Sequence, residues 1–180
     1  MDRTNHYELA FEAYLQAQRL SYVAVDETRR SLLDDGPIKS VDFLVFGRFG
    51  ERLVVDVKGR RFPGGTPQRP RAVWECWSSR EDIEGLERWA ILAGDDYRGL
   101  LVFAYLLGDT VQLTEGTPDL FVFRARRYLF RAVDVHEYHE RMQTRSPRWG
   151  TVWLGRDAYR AIVRPFSDFV QREVAEQVPF

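Results

Sequence analysis

The residue types best suited to chemistry fall in one short stretch. Asp42 lies in Ser40-Val41-Asp42-Phe43-Leu44-Val45-Phe46, and Asp56 and Lys58 lie in Glu51-Arg52-Leu53-Val54-Val55-Asp56-Val57-Lys58. Gly47-Arg48-Phe49-Gly50 joins these two apolar runs, which together read as a β-hairpin. A side-chain period of two puts Asp56 and Lys58 on one face of the second strand and Val55 and Val57 on the other. Phe49 is midway between Asp42 and Asp56, so a symmetric register sets the two carboxylates opposite each other, with Cβ atoms about 5 Å apart. Such a pair repels, and a cation is expected in the gap. The candidates are Lys58 and a divalent ion such as Mg²⁺ or Mn²⁺, which favours clustered carboxylate oxygens.

Lys58 stands out by composition. Of 26 basic residues only Lys39 and Lys58 are lysine. A compact ammonium can change protonation state or approach a phosphoryl oxygen and a water, whereas a guanidinium stays charged and fork-shaped. Asp-x-Lys by itself is also the pattern of an ordinary surface ion pair. A further carboxylate comes from Glu8, three and seven residues before Phe11 and Leu15, on or beside an apolar helical stripe where an ionised group is costly without a partner. Glu8 is equally placed to serve Asn5 in a capping box, and Glu12, one turn on, is a second carboxylate near that face.

The elements that must position these groups follow from periodicity and punctuation. Asn5 to Leu20 reads as an amphipathic helix capped by Asn5, and Tyr22–Val25 as a first strand, followed by a polar loop or helical turn from Asp26 to Asp35. After the hairpin, Gly59 to Arg71 holds three Gly, three Pro and four Arg, a composition expected to form a basic, mobile loop with no regular element. Ser78 or Ser79 caps a helix that Gly94 stops, and Leu100–Leu107 reads as a buried strand. Leu120–Phe123 and Tyr128–Val133 make a second hairpin; Val135–Met142 a short helix; Thr151–Leu154 a short strand; Asp157–Val178 a helix broken at Pro165. The order predicts one domain over 1–180, an α/β or α+β sheet covered by helices.

Helix with Glu8, hairpin with Asp42, then Asp56-Val57-Lys58, then a helix and a strand resembles the PD-(D/E)XK nuclease superfamily, closest in layout to archaeal Holliday junction resolvases and restriction-endonuclease-like proteins. Val41 stands where the superfamily often has Pro, and Asp56 where many resolvases have Glu. His6-Tyr7-Glu8-Leu9-Ala10-Phe11-Glu12 is also similar to the signature of a bacterial family named HYExAFE. The superfamily resemblance spans about residues 5–107, leaving a C-terminal β/α extension over about 108–180. It implies a restriction-endonuclease-like mixed central sheet flanked by helices, and metal-dependent hydrolysis of DNA phosphodiester bonds by an endonuclease, structure-specific for branched or damaged DNA. It further implies catalytic roles for Glu8, Asp42, Asp56 and Lys58. Mg²⁺ or Mn²⁺ would be held by Asp42, Asp56 and the Val57 carbonyl, with Glu8 binding directly or through water. Backbone contacts to DNA would come from Arg60, Arg61, Arg69, Arg71, Arg29 and Arg30. A homodimer is expected by the same resemblance. The alternative is a catalytically inactive nuclease-fold protein that binds nucleic acid or protein.

Composition bounds these readings. The 180 residues carry a net charge of −1, so nucleic-acid binding would need a local patch in place of global attraction. With 44% hydrophobic and 14% aromatic residues the chain can build a core without disulfides or a structural metal. The polar N-terminus and an apolar run no longer than Leu100–Leu107 predict a cytoplasmic protein with no membrane partner. Cys76 reads as a small half-buried side chain. His136 and His139 lack the i, i+4 spacing of a zinc-protease motif and read as a surface helix. Gly64-Gly65-Thr66 lacks P-loop spacing, and no serine sits in a nucleophile-elbow pattern, so neither a nucleotide cofactor nor serine chemistry is expected. Thr144-Arg145-Ser146-Pro147-Arg148-Trp149 has the makings of a phosphate-binding and stacking patch, with a loop that packs Trp149 into the core as the favoured reading.

Overall fold

The computed structural model of the chain describes residues 5–25, 32–33, 36–37, 40–66 and 68–171. Helix α1 (His6–Ala17) begins at Asn5, whose side chain accepts from the Tyr7 N–H, and leads into β1 (Ser21–Ala24). Two short strands, β2 (Leu32–Leu33) and β3 (Gly36–Pro37), pair with each other. The first hairpin is β4 (Phe43–Phe46) and β5 (Arg52–Phe62). Next come β6 (Gly64–Thr66), β7 (Arg69–Arg71), β8 (Ser78–Ser79), α2 (Arg80–Ala93) and β9 (Tyr97–Leu107). The second hairpin is β10 (Leu120–Phe123) and β11 (Arg126–Asp134), followed by α3 (Val135–Arg141) and β12 (Gln143–Ser146). A 3₁₀ turn at Pro147–Trp149, β13 (Thr151–Trp153), α4 (Arg156–Ile162), β14 (Arg164–Pro165) and α5 (Ser167–Val170) complete the described chain.

One mixed sheet organises these elements in the order β1-β4-β5-β9-β11-β10, with β14 added beside β11. β5 and β9 pair in parallel over eleven residues, Arg52 with Tyr97 through Phe62 with Leu107; every other neighbour pair is antiparallel. Alternation along the strands divides the core in two. Val55, Val57, Val102 and Phe130 face α1 and α5, meeting Phe11, Leu15 and Phe166, while Val54, Leu101, Phe103 and Leu129 face α2, α3 and α4, meeting Ile83, Leu86, Tyr138 and Ile162. A separate three-stranded sheet, β12-β13-β8, ties the C-terminal segment to the start of α2. Among the described residues no helix is long and apolar enough to cross a membrane.

The hairpin register is the symmetric one expected, with Phe43 opposite Val55 and Phe46 opposite Arg52. Three expectations need correction. Gly59–Arg71 is not an irregular loop: β5 runs on to Phe62 because β9 offers Ala104–Leu107 as a parallel partner, and Gly64–Thr66 pairs with Arg69–Arg71. Phe62 stacks on Trp74 at a centroid distance of 3.6 Å, which gives this segment an apolar anchor. Trp149 is not a core residue but 71% exposed. The Asp157 helix is also shorter than predicted: it ends at Ile162, Arg164–Pro165 joins the sheet edge, and 172–178 lie outside the described residues.

Candidate active site

The site grows from the alternation of β5. With Val55 and Val57 committed to the α1 side, Asp56 and Lys58 project to the α2 side. There the Lys58 Nζ lies 2.7 Å from Asp56 Oδ2 and 3.0 Å from Asp82 Oδ2. The Lys58 side chain is only 16% exposed, so this is a nearly dry carboxylate–ammonium–carboxylate arrangement. Burial works against the charge on Lys58, but Asp56 and Asp82 outweigh it and hold the ammonium above its ordinary pKa. The spacing predicts a cation between Asp42 and Asp56; Lys58 instead bridges Asp56 and Asp82, while Asp42 is met by the Val57 N–H.

Asp82 is the residue that sequence reading places in the first turn of a helix without giving it a site role. It completes a capping box: Ser79 Oγ accepts from the Asp82 N–H at 3.0 Å, and Asp82 Oδ2 accepts from the Ser79 N–H at 3.2 Å and from Ser78 Oγ at 3.0 Å. Fixing this carboxylate at the helix start fixes the direction of Lys58. The usable signal is Ser79-Arg80-Glu81-Asp82, a capping-box pattern that fixes a carboxylate at the start of α2.

Asp42 sits one residue before β4 and is buried. Its carbonyl accepts from the Val25 N–H, its N–H donates to the Val55 carbonyl, and its Oδ2 accepts from the Val57 N–H at 2.5 Å. The carboxylate is thus held against the backbone of the residue between Asp56 and Lys58. Glu8 is buried in α1, and its carboxylate accepts from the side-chain amide of Asn5. Glu12 takes the Tyr22 hydroxyl at 3.0 Å. Among the described residues no group of three or more His, Cys, Asp and Glu side chains is gathered as a metal site. Asp42 and Asp56 offer hard oxygen donors of the type a divalent ion takes, with Lys58 already on Asp56 and the Val57 N–H on Asp42.

The arginines divide into two groups. Arg61, Arg69 and Arg71 are exposed, Arg71 lying 3.3 Å from Glu75 Oε1. Arg60 turns inward, donating to the Gly59 carbonyl and the Trp77 carbonyl, with its guanidinium 4.0 Å from the Trp77 ring centroid. Burial lowers its pKa. Arg29 and Arg30 lie outside the described residues. His139 Nδ1 lies 2.7 Å from Glu87 Oε2, which joins α3 to α2. Cys76 is buried, its Sγ 3.4 Å from the Leu154 carbonyl, and burial pushes its thiol pKa up.

With this geometry in hand, comparison with solved structures gives a match to the Archaeoglobus fulgidus Holliday junction resolvase Hjc, from an archaeal hyperthermophile. The two superpose with a TM-score of 0.52 at 13% sequence identity, over 92% of this chain and 98% of that one. The two chains share a fold. The likeness covers more of the chain than the 5–107 stretch that carries the motif resemblance. No protein-family model and no curated protein matches the chain, so the His6–Glu12 signature stands as a local motif.

Proposed function

We propose that this chain is a metal-dependent endonuclease that hydrolyses DNA phosphodiester bonds and acts on branched or damaged DNA. The observation that carries the reading is the Asp56–Lys58–Asp82 cluster, buried beside Asp42 at the hairpin of a resolvase-type sheet. Asp42 and Asp56, with the Val57 carbonyl, would hold Mg²⁺ or Mn²⁺, and Glu8 would complete the shell through water. The ion would supply Lewis-acid polarisation of the phosphate and acidify the attacking water. Lys58 supplies a fixed positive charge next to the same carboxylates, suited to orienting that water and steadying charge as it develops. Asp82 would act through Lys58, holding the ammonium in place while Asp56 serves the metal. The exposed Arg61, Arg69 and Arg71 are suited to phosphate contacts. Arg60 acts by holding Trp77.

The test is calorimetric titration of Mn²⁺ into the wild type and into Asp42→Ala/Asp56→Ala, with cleavage assayed on four-way, nicked and linear duplex DNA. The wild type is expected to bind Mn²⁺ and to cut the branched or nicked substrate in preference to the linear one, while the double variant does neither. A wild type that binds no Mn²⁺ even with DNA present overturns the proposal. That result would favour the second reading, a nuclease-fold binding module without turnover, which is supported by the engagement of Lys58 with both Asp56 and Asp82.

A further inference from the structure

On the α2 side of the sheet, next to the candidate site, lies a cavity of about 320 Å³ walled by Trp74, Trp77 and Trp153 and rimmed by Arg145, Arg156 and Arg160. Glu75 is the acidic residue on this wall, and it is occupied: Arg71 lies on its Oε1 and the Trp77 Nε1 donates to its Oε2 at 3.3 Å. Among the described residues neither Arg156 nor Arg160 makes an ion pair, and Arg145 rests 4.8 Å from the Trp77 ring centroid. Trp77 is therefore flanked by two guanidiniums, Arg60 and Arg145. A second, more open hollow shares Trp77 and Arg145 and reaches the exposed Trp149, where Arg148 lies 5.3 Å from the ring. The two hollows share Trp77 and Arg145 and are lined by tryptophans and arginines, with Arg156 and Arg160 outside any ion pair among the described residues.

That combination suits one ligand chemistry. Tryptophan faces accept the π-face of any base, and arginines beside them suit the phosphates of the same strand. A base inside a duplex is already stacked and cannot enter a cavity, so the matching species is unpaired. We propose that the Trp77–Trp153 cavity and the adjoining Trp149 surface bind a single-stranded nucleotide segment, with a base held among the tryptophans and its phosphates paired with Arg145, Arg156 and Arg160. The cavity is linked to the candidate active site by one covalent neighbour and one hydrogen bond. Trp77 precedes Ser78, whose hydroxyl bonds Asp82, and Arg60, bonded to the Trp77 carbonyl, lies two residues beyond Lys58 on the same strand. As a selector for substrates with an unpaired arm, the groove rests on the nuclease reading; as a strand-binding site it does not.

The test measures fluorescence anisotropy of a labelled oligothymidylate in EDTA, where no cleavage occurs, against full-length wild type, Trp153→Ala, Trp153→Phe and Arg156→Ala/Arg160→Ala. Trp153→Ala is expected to weaken strand binding about tenfold, Trp153→Phe to keep most of it, and duplex affinity to change in neither. The double arginine variant is expected to flatten the dependence of log affinity on log salt by about 1.4, two phosphates' worth. Asp56→Asn should bind the strand as the wild type does, and a wild type that binds strand in this pattern but cuts no DNA in Mn²⁺ loses the nuclease reading and keeps the groove. Strand affinity indifferent to both Trp153→Ala and the arginine pair overturns the proposal. Equal displacement of the strand by an acidic peptide, or mononucleotide binding as tight as the oligomer's, overturns it as well.

Discussion

Lys58 is the shared partner of two buried carboxylates. It stands between Asp56 and Asp82, all three nearly dry, and removing the ammonium leaves two buried carboxylates without their shared partner. Lys58→Met is therefore expected to cost about 3–5 kcal/mol at neutral pH, a fall of about 6–20 °C in melting temperature read by calorimetry. The deficit should shrink as pH drops and the orphaned carboxylates take up protons, and a deficit independent of pH would contradict the ion-pair account. In the wild type the sign is that of a raised base. The stabilisation from Lys58 is complete below the unfolded lysine pKa and disappears as pH rises through its higher folded value. At this scale Asp42, Asp56 and Lys58 are legible in the sequence, because alternation in a hairpin fixes which side chains share a face. Asp82 is not, since its part depends on α2 folding back over β5. Repulsion between Asp42 and Asp56 is the natural expectation from their spacing, but the Val57 N–H and the Lys58 ammonium answer the two charges separately.

At the scale of elements, the part proposed for Glu8 depends on how closely α1 approaches β5. A Cβ built on Gly59 would fall 2.2 Å from the Tyr7 ring, so only glycine lets the first turn of the helix lie against the strand. Gly59→Ala must push α1 outward, and the overpacking is expected to cost about 1–3 kcal/mol. The same displacement carries Glu8, one residue from Tyr7, away from β5. The check is a denaturant melt beside an activity assay. A loss of activity larger than the loss of folded protein would mark α1 as part of the site, whereas unchanged stability would show that the Tyr7 ring swings aside. The Gly59–Arg71 segment was unreadable for a related reason. Its Gly, Pro and Arg content describes a loop, and what makes strand of it is the edge of β9, distant in sequence and invisible to local composition. The hairpins and helix caps were readable because their signals, Gly47 and Gly50, Asn5, Ser79 and Gly94, sit inside the elements they delimit.

For the whole molecule, the C-terminal third is part of the core. Val152, Leu154, Tyr159 and Ile162 fill the α2 side of the sheet, and Phe166, Phe169 and Val170 close the α1 side. A chain ending at Met142 would leave both faces open, and it is expected to show no cooperative thermal transition by circular dichroism. A sharp transition in that fragment would make residues 5–142 a self-sufficient unit. The α+β sheet was legible in the order of elements. The C-terminal contribution was not, because short strands such as Thr151–Trp153 acquire meaning only from their partners, here Ser78–Ser79 and Gln143–Thr144.

The parallel pairing of β5 with β9 also carries a consequence for how the protein reaches its native state. Asp56 and Lys58 belong to the first of these strands, and Asp82 to the helix inside the crossover between them, so no local turn can bring the three together. Closing that long loop has a conformational entropy cost before a single β5–β9 contact compensates for it, and such non-local pairings belong to the slow end of folding. The charged cluster is thus assembled late, and a chain arrested before β9 docks carries every residue of the site without having the site.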